Sequence, residues 1–114
     1  MKIINQIPET PKHVFTILNN VYEIQRKAQL SEDTHSILRN TGRITETFSD
    51  LGYFFEDPMG QEFKDTRTDL EATISGTETE NLYVVEVIKP IIRVGNQSLS
   101  KVVQKGIVVV ESKK

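Results

Sequence analysis

The chain contains no cysteine, which excludes disulfides and thiolate metal sites. It has no long apolar run: the longest, residues 107–110, is far too short to cross a bilayer. It has no excess of positive charge, with 14 Lys and Arg against 16 Asp and Glu and a formal net charge of −2. Non-specific nucleic-acid binding needs a local surplus of cations to displace counterions. Lys101, Lys105 and the pair Lys113-Lys114 are instead separated by apolar and other residues, so no nucleic-acid partner is expected. Glycines are scattered one per turn or cap, at Gly42, Gly52, Gly60, Gly76, Gly95 and Gly106, so no glycine-rich loop is available to cradle a phosphate. Residues 1–7 carry one lysine and are interrupted by Asn5 and Gln6, which does not read as a signal peptide. No membrane association is expected, and the expected compartment is the cytoplasm.

Residues suited to catalysis are equally sparse. His13 and His35 both fall near predicted helix starts, without the partnering environment that a histidine switch needs. Asp65, Asp69, Glu71, Glu78 and Glu80 read as a solvated strand face and loop, because no segment has the ligand spacing and central glycine of a calcium hand. With no acid/base pair or nucleophile in view, the chain is not expected to be an enzyme, nor to hold a metal or cofactor.

What is present is a folding pattern. Hydrophobic residues make up 37% and charged residues 26%, a balance that supports a packed core and argues against full disorder. Over 114 residues that core is one domain or two very small ones. A thin core favours oligomerisation, because an interface buries what the monomer cannot.

Thr10 and Pro11 suit a helix N-cap and first helical position. Apolar residues then recur at Val14, Ile17, Val21, Ile24 and Ala28 in steps of three and four, a heptad seam that Phe15, Leu18 and Tyr22 widen. The spacing predicts a helix over residues 11–29. Ser31, Glu32 and Asp33 interrupt the pattern and offer a new cap, after which Ile37, Thr41, Ile44, Phe48 and Leu51 repeat the heptad. Gly42 and the threonines weaken this second helix, which therefore needs packing partners, and Gly52 is a natural stop. So short a link predicts an antiparallel hairpin over residues 1–52. Two helices cannot bury both broad faces, and a second copy would complete a four-helix bundle. A homodimer through Val14, Ile17, Val21, Ile24, Ile37, Ile44 and Phe48 is the expectation.

Beyond Gly52 the period changes to two, and residues 53–114 read as a small antiparallel β domain. Tyr53, Phe54 and Phe55 form a strand, and Asp57, Pro58, Met59 and Gly60 a turn. From Arg67 the chain alternates, with Arg67, Asp69, Glu71 and Thr73 on one face and Thr68, Leu70, Ala72 and Ile74 on the other. A polar loop over 76–81 leads to a strand over 82–88, broken at Pro90, which cannot donate to a ladder. Strands resume over 91–94, 99–103 and 107–110, with turns at Gly95-Asn96 and Lys105-Gly106. The expected core is Leu70, Ile74, Val85, Val87, Ile91, Val102 and Val108, with Glu86 putting Val84 and Ile88 on the outer face. The fold class is α+β.

This order of elements, from Val14 to Ser112, resembles the GrpE family, the nucleotide-exchange factors of DnaK-type chaperones. Leu51-Gly52, the aromatic strand and Gly60-Gln61-Glu62-Phe63 look like the family's passage of helix, glycine, strand and Gly-x-x-Phe. Residues 83–90 look like its valine-rich strand, and residues 100–110 like its last strand. The chain departs from the pattern at Lys64-Asp65, where Asp-Pro is usual, at Leu70-Glu71-Ala72, which only echoes His-Glu-Ala, and at Pro90, where a glycine is usual. Only residues 1–10 precede the first helix, where the family carries a long stalk. The resemblance implies a dimeric four-helix bundle and a β domain that docks on the ATPase domain of a DnaK-type chaperone and promotes nucleotide exchange. It implies partner contacts at Val87, Lys89, Arg93 and Val110. The alternative is a scaffold subunit of the same fold with a different protein partner, since fold does not fix function.

Overall fold

The computed structural model describes residues 12–30, 35–96 and 98–113. The expected caps at Thr10-Pro11 and at Ser31, Glu32 and Asp33, and the lead-in over residues 1–9, lie outside the described residues. Contacts divide the chain into units 1–45 and 46–114. The division falls inside the second helix, so the last residues of that helix belong with the β part, ahead of the expected boundary at 52/53.

Helix α1 spans Lys12–Gln29 and α2 spans His35–Asp50, close to the ranges that the heptads predict. In α1, Leu18, Val21, Tyr22 and Ala28 are buried, as the three- and four-residue spacing of one helical face requires. Arg26 and Lys27 stand in its last turn, where cations offset the negative end of the helix dipole. Arg26 Nη1 also donates to the Tyr22 hydroxyl at 3.0 Å. In α2 the threonines bond back to the preceding turn: Thr41 Oγ1 donates to Leu38 O at 3.2 Å and Thr45 Oγ1 to Thr41 O at 2.8 Å. The first of these bonds allows Thr41 to be buried within a helix without an unsatisfied hydroxyl. Gly52 ends the helix as expected. Its φ of 92° suits glycine, and its N–H donates to Ser49 O at 2.9 Å, satisfying one of the helix's last carbonyls.

Six strands follow: β1 (Tyr53–Glu56), β2 (Leu70–Ile74), β3 (Leu82–Lys89), β4 (Ile91–Gly95), β5 (Ser100–Gln104) and β6 (Gly106–Ser112). They form two three-stranded sheets, ordered β1-β4-β5 and β2-β6-β3. All pairs are antiparallel except β2 with β6, which is parallel, so the β part is not the purely antiparallel domain expected. A parallel pair needs a long crossover, and residues 75–105 provide it. The alternation expected from Arg67 begins only at Leu70, because Arg67 and Asp69 are engaged in side-chain bonds ahead of the strand.

The topology simplifies once the breaks are traced. β3 and β4 are one arm of a long hairpin and β5 and β6 the other, joined near the tip by Asn96 N donating to Leu99 O at 3.0 Å. Each arm leaves one sheet and enters the other, at Pro90 and at Lys105. Strands that switch sheets in this way make the corners of closely packed two-sheet structures. β1 then adds beside β4, and β2 beside β6. The core lies between the sheets: Leu70, Leu82, Val84, Val108 and Val110 from one, Ile91 from the other, with Phe63, Ala72, Val87 and Val102 packed against them.

Two members of the expected core are displaced. Val85 is exposed while Val84 is buried, the reverse of the expected assignment. The cause is a pair of β-bulges. Register breaks between Val84 and Glu86, and again between Val87 and Lys89, so Val85-Glu86 together oppose Val109, and Ile88-Lys89 together oppose Ile107. Each bulge inserts a residue and restarts the alternation, leaving Val84 and Val87 inward. Ile74 continues the inward face of Leu70 and Ala72 but stands at its open end, 41% exposed.

The bulges make a direct prediction. Val84→Ala is expected to cost about 2 kcal/mol, from two buried carbons and the cavity they leave. Val85→Ala is expected to stay within about 0.5 kcal/mol. Urea unfolding of the two variants distinguishes this arrangement from regular alternation, which demands the opposite order.

Candidate interaction surfaces

Each helix carries two apolar columns of seven-residue spacing, and the chain treats them differently. In α1 the column Val14, Val21 and Ala28 is turned inward, with Val21 and Ala28 buried and Val14 half-buried. The column Ile17 and Ile24 is turned outward. In α2, Thr41 is buried and Phe48 half-buried, while Ile37 and Ile44, and Leu51 just past the helix end, are exposed. Ile17, Ile24, Ile37 and Ile44 are each 40–46% exposed. Of the seven residues expected at a dimer seam, these four offer apolar surface, Val14 and Phe48 offer part of theirs, and Val21 is interior to the single chain. Leu18 and Tyr22, read as merely widening the face, are at its buried centre.

The four positions carried onto the β domain by resemblance are not brought together as one surface. Val110 has no exposed area and is core. Val87 is half-buried against that core. Arg93 is held by Glu56, Nε to Oε1 at 2.9 Å, and lies 3.7 Å from Asp69 Oδ2. Lys89 alone is exposed, beside Ile88 on the second bulge. The surface that does exist is the outer face of β2-β6-β3. There Val109 and Ile107 alternate with the buried Val108 and Val110, and the bulges add Val85 and Ile88, exposed at 42% and 52%. Glu71, Glu86, Lys89 and Glu111 flank them as exposed residues. An apolar centre with a charged rim is the usual anatomy of a protein interface.

One trace of this face was present in the sequence. Glu86 and Lys89 are three residues apart, an odd spacing that a regular strand would split between core and solvent. Both can reach water only if the strand is bulged. The same reasoning was not available for Arg93, whose partners come from distant segments.

Arg93 belongs to a charge network that ties the loop after β1 to the sheets. Arg67 binds Asp69 in bidentate fashion, Nε to Oδ1 and Nη2 to Oδ2 at 3.0 Å each. Arg67 Nη1 also donates to Gln61 Oε1 at 3.0 Å. These hydrogen bonds from Arg67 hold the Asp69 carboxyl below the usual carboxylate range, against the opposing effect of burial, and the positive charges of Arg67 and Arg93 add to the shift. The same bond raises the Arg67 guanidinium further, so it stays charged. The network braces the segment between β1 and β2 against both sheets.

Among the described residues no group of three or more His, Cys, Asp or Glu side chains could hold a metal ion, and no helix is long and apolar enough to cross a membrane. Comparison with protein-family models, characterised proteins and solved structures gives no match.

The brace has a signed pH dependence. A carboxyl whose folded pKa is depressed contributes stability in full above its unfolded value, about 3.9 for Asp, and loses it as pH falls through the folded value. Asp69→Asn is expected to cost about 1–3 kcal/mol at pH 7, the range for hydrogen bonds to charged groups. The gap from the unmodified chain should begin to close below about pH 4 and go on narrowing as pH falls through the lower folded value. Urea unfolding at pH 7 and pH 3 measures both.

Proposed function

We propose that this chain is a protein-binding cochaperone of the GrpE type. In this reading it pairs with a second copy through its helices and docks on the ATPase domain of a DnaK-type chaperone through its β unit. The observation that carries the reading is that the resembling motifs fall at the breaks of the fold. Leu51-Gly52 is the helix stop, with Gly52 bonded at the positive φ that it needs. Gly60-Gln61-Glu62-Phe63 pairs with β3, with Phe63 N to Leu82 O at 2.8 Å and Val84 N to Gln61 O at 2.9 Å. The segment 83–90 is the β3 half of one arm of the bent hairpin, ending at its bend, and 100–110 runs along the other arm. An exposed column of isoleucines on each helix supports the dimer, because a second copy covers what one chain leaves open.

The docking surface in this reading is the outer face bearing Val85, Ile88, Ile107 and Val109. Such a factor acts by population shift: it binds the open, nucleotide-free ATPase domain better than the closed, nucleotide-bound form. A second reading, a scaffold subunit with another protein partner, is favoured by the internal commitment of Arg93 and Val110. Those two side chains would have to be surface contacts if the family's interface were kept unchanged.

Two measurements test this. Light scattering of the unmodified chain at micromolar concentration is expected to give a dimer mass, and Ile44→Asp a monomer mass with the β unit still folded, since Ile44 is exposed in the single chain. A monomer mass for the unmodified chain removes the bundle. The chain is also expected to accelerate nucleotide release from a DnaK-type chaperone of its own cell. Ile88→Asp should reduce that acceleration roughly tenfold, as loss of a central interface side chain does, while leaving stability within about 0.5 kcal/mol. Failure to accelerate release from any such chaperone leaves the scaffold reading.

A further inference from the structure

We infer that the open end of the β sandwich is a second binding site, for a lysine or arginine side chain carried on a partner polypeptide. The inward face of β2 does not close at its far end. There a cleft of about 590 Å³ opens between residues 62–66 and residues 79–82, a size in the usual range for ligand sites, which favour the mouths of β-barrels. Its floor is apolar: Phe63, Ile74 and Leu82. Ile74 is the inward-facing residue that the core leaves uncovered. Its rim is acidic, with exposed Glu62, Asp65 and Glu80 against one cation among the lining residues, Lys64.

The walls are tied in place. Phe63 N donates to Leu82 O at 2.8 Å and Lys113 N to Asn81 O at 2.8 Å. Ser112 Oγ donates to Glu80 O at 2.8 Å. Asn81 holds a φ of 57°, which asparagine tolerates better than most residues. The site is therefore formed before anything enters it, and binding pays little to order it.

Charge and shape together select the occupant. Lysine and arginine carry an aliphatic stem and a charged head, and they bury the one while keeping the other hydrated. An apolar floor beneath a carboxylate rim matches both ends of such a side chain. A fatty or aromatic ligand leaves the rim unpaired, and an anion is repelled by it. The polypeptide partner follows from the open mouth of the cleft, which gives a chain room to lie across the rim while one side chain enters. The cleft is separate from the outer sheet face, so this inference does not depend on the chaperone reading.

The test uses the full chain, labelled with ¹⁵N, and two capped peptides, one of alternating leucine and arginine and one of alternating leucine and glutamate. Amide shifts from the arginine peptide are expected to concentrate on residues 62–66, 74 and 79–82, with none from the glutamate peptide. Asp65→Asn combined with Glu80→Gln should weaken binding roughly fivefold, the scale of two exposed charge pairs. Ile74→Lys, which brings a like charge to the floor, should abolish it, and Ile88→Asp should leave it unchanged. Shifts spread over all acidic residues, or an affinity indifferent to the double variant while Ile74→Lys still folds, would overturn the site.

Discussion

Gly106 stands where the two arms of the hairpin turn from one sheet into the other, and a side chain there would have to push core residues aside. A Cβ at this position would lie 2.8 Å from Leu70 Cδ2 and 3.0 Å from Ile91 Cγ1, the two core residues that join the sheets. On the facing arm Pro90 makes the matching bend. Its carbonyl is satisfied by Gln104 Nε2 at 3.0 Å, so the bend leaves no buried acceptor unpaired. The close approach of backbone and core at this corner lets one hairpin supply strands to both sheets. Were the arms straight, β4 and β5 would extend β3 and β6 as one flat ribbon, with no second layer to cover Val84, Val108 and Val110.

The irregularities of β3 follow from the same geometry. A strand that must cover a core and then bend away benefits from the extra twist that bulges provide. The two bulges release the inward face every third residue instead of every second. Their side effect is chemical: each adds an apolar and a charged side chain to the outer face, Val85 with Glu86 and Ile88 with Lys89. A structural device thereby builds the surface best suited to a partner, in a part of the chain whose backbone is held firmly by β6. The long segment between β1 and β2, without regular strand, is stabilised by a different means, the network of Arg67, Asp69, Arg93 and Glu56. Charges used in this way are withdrawn from the surface, and this separates Arg93 from Lys89 although only three residues of the same arm lie between them.

The helical part has a complementary character. Its inward columns are closed by ordinary packing and by threonines that bond to their own helix. Its outward isoleucines remain apolar surface in contact with water. Contiguous apolar patches are uncommon on monomers and mark contact sites. The chain thus presents apolar side chains to water on its helices, at Ile17, Ile24, Ile37 and Ile44, and on its sheet, at Val85 and Ile88. The acidic, apolar-floored cleft is a surface of a different kind, charged where the other two are apolar.

Sequence by itself determined the local features. The extents of α1 and α2, the stop at Gly52, the break at Pro90 and the turn at Gly95-Asn96 were all legible, because capping, helical period and turn chemistry act between residues close in the chain. The apolar content of each strand was legible for the same reason. Tertiary structure alone decided which sheet each strand joins, that β2 runs parallel to β6, that Val84 and not Val85 faces the core, and that Ile74 opens into a cleft. It also decided that Val110 is core and that Arg93 is spent on Glu56 and Asp69. Each of these depends on a partner far away in sequence, and alternation within one strand carries no information about the register of another. The heptads announced one apolar seam on each helix, but only the folded chain could decide which positions of that seam it buries itself, such as Val21 and Thr41, and which it leaves exposed, such as Ile17 and Ile44.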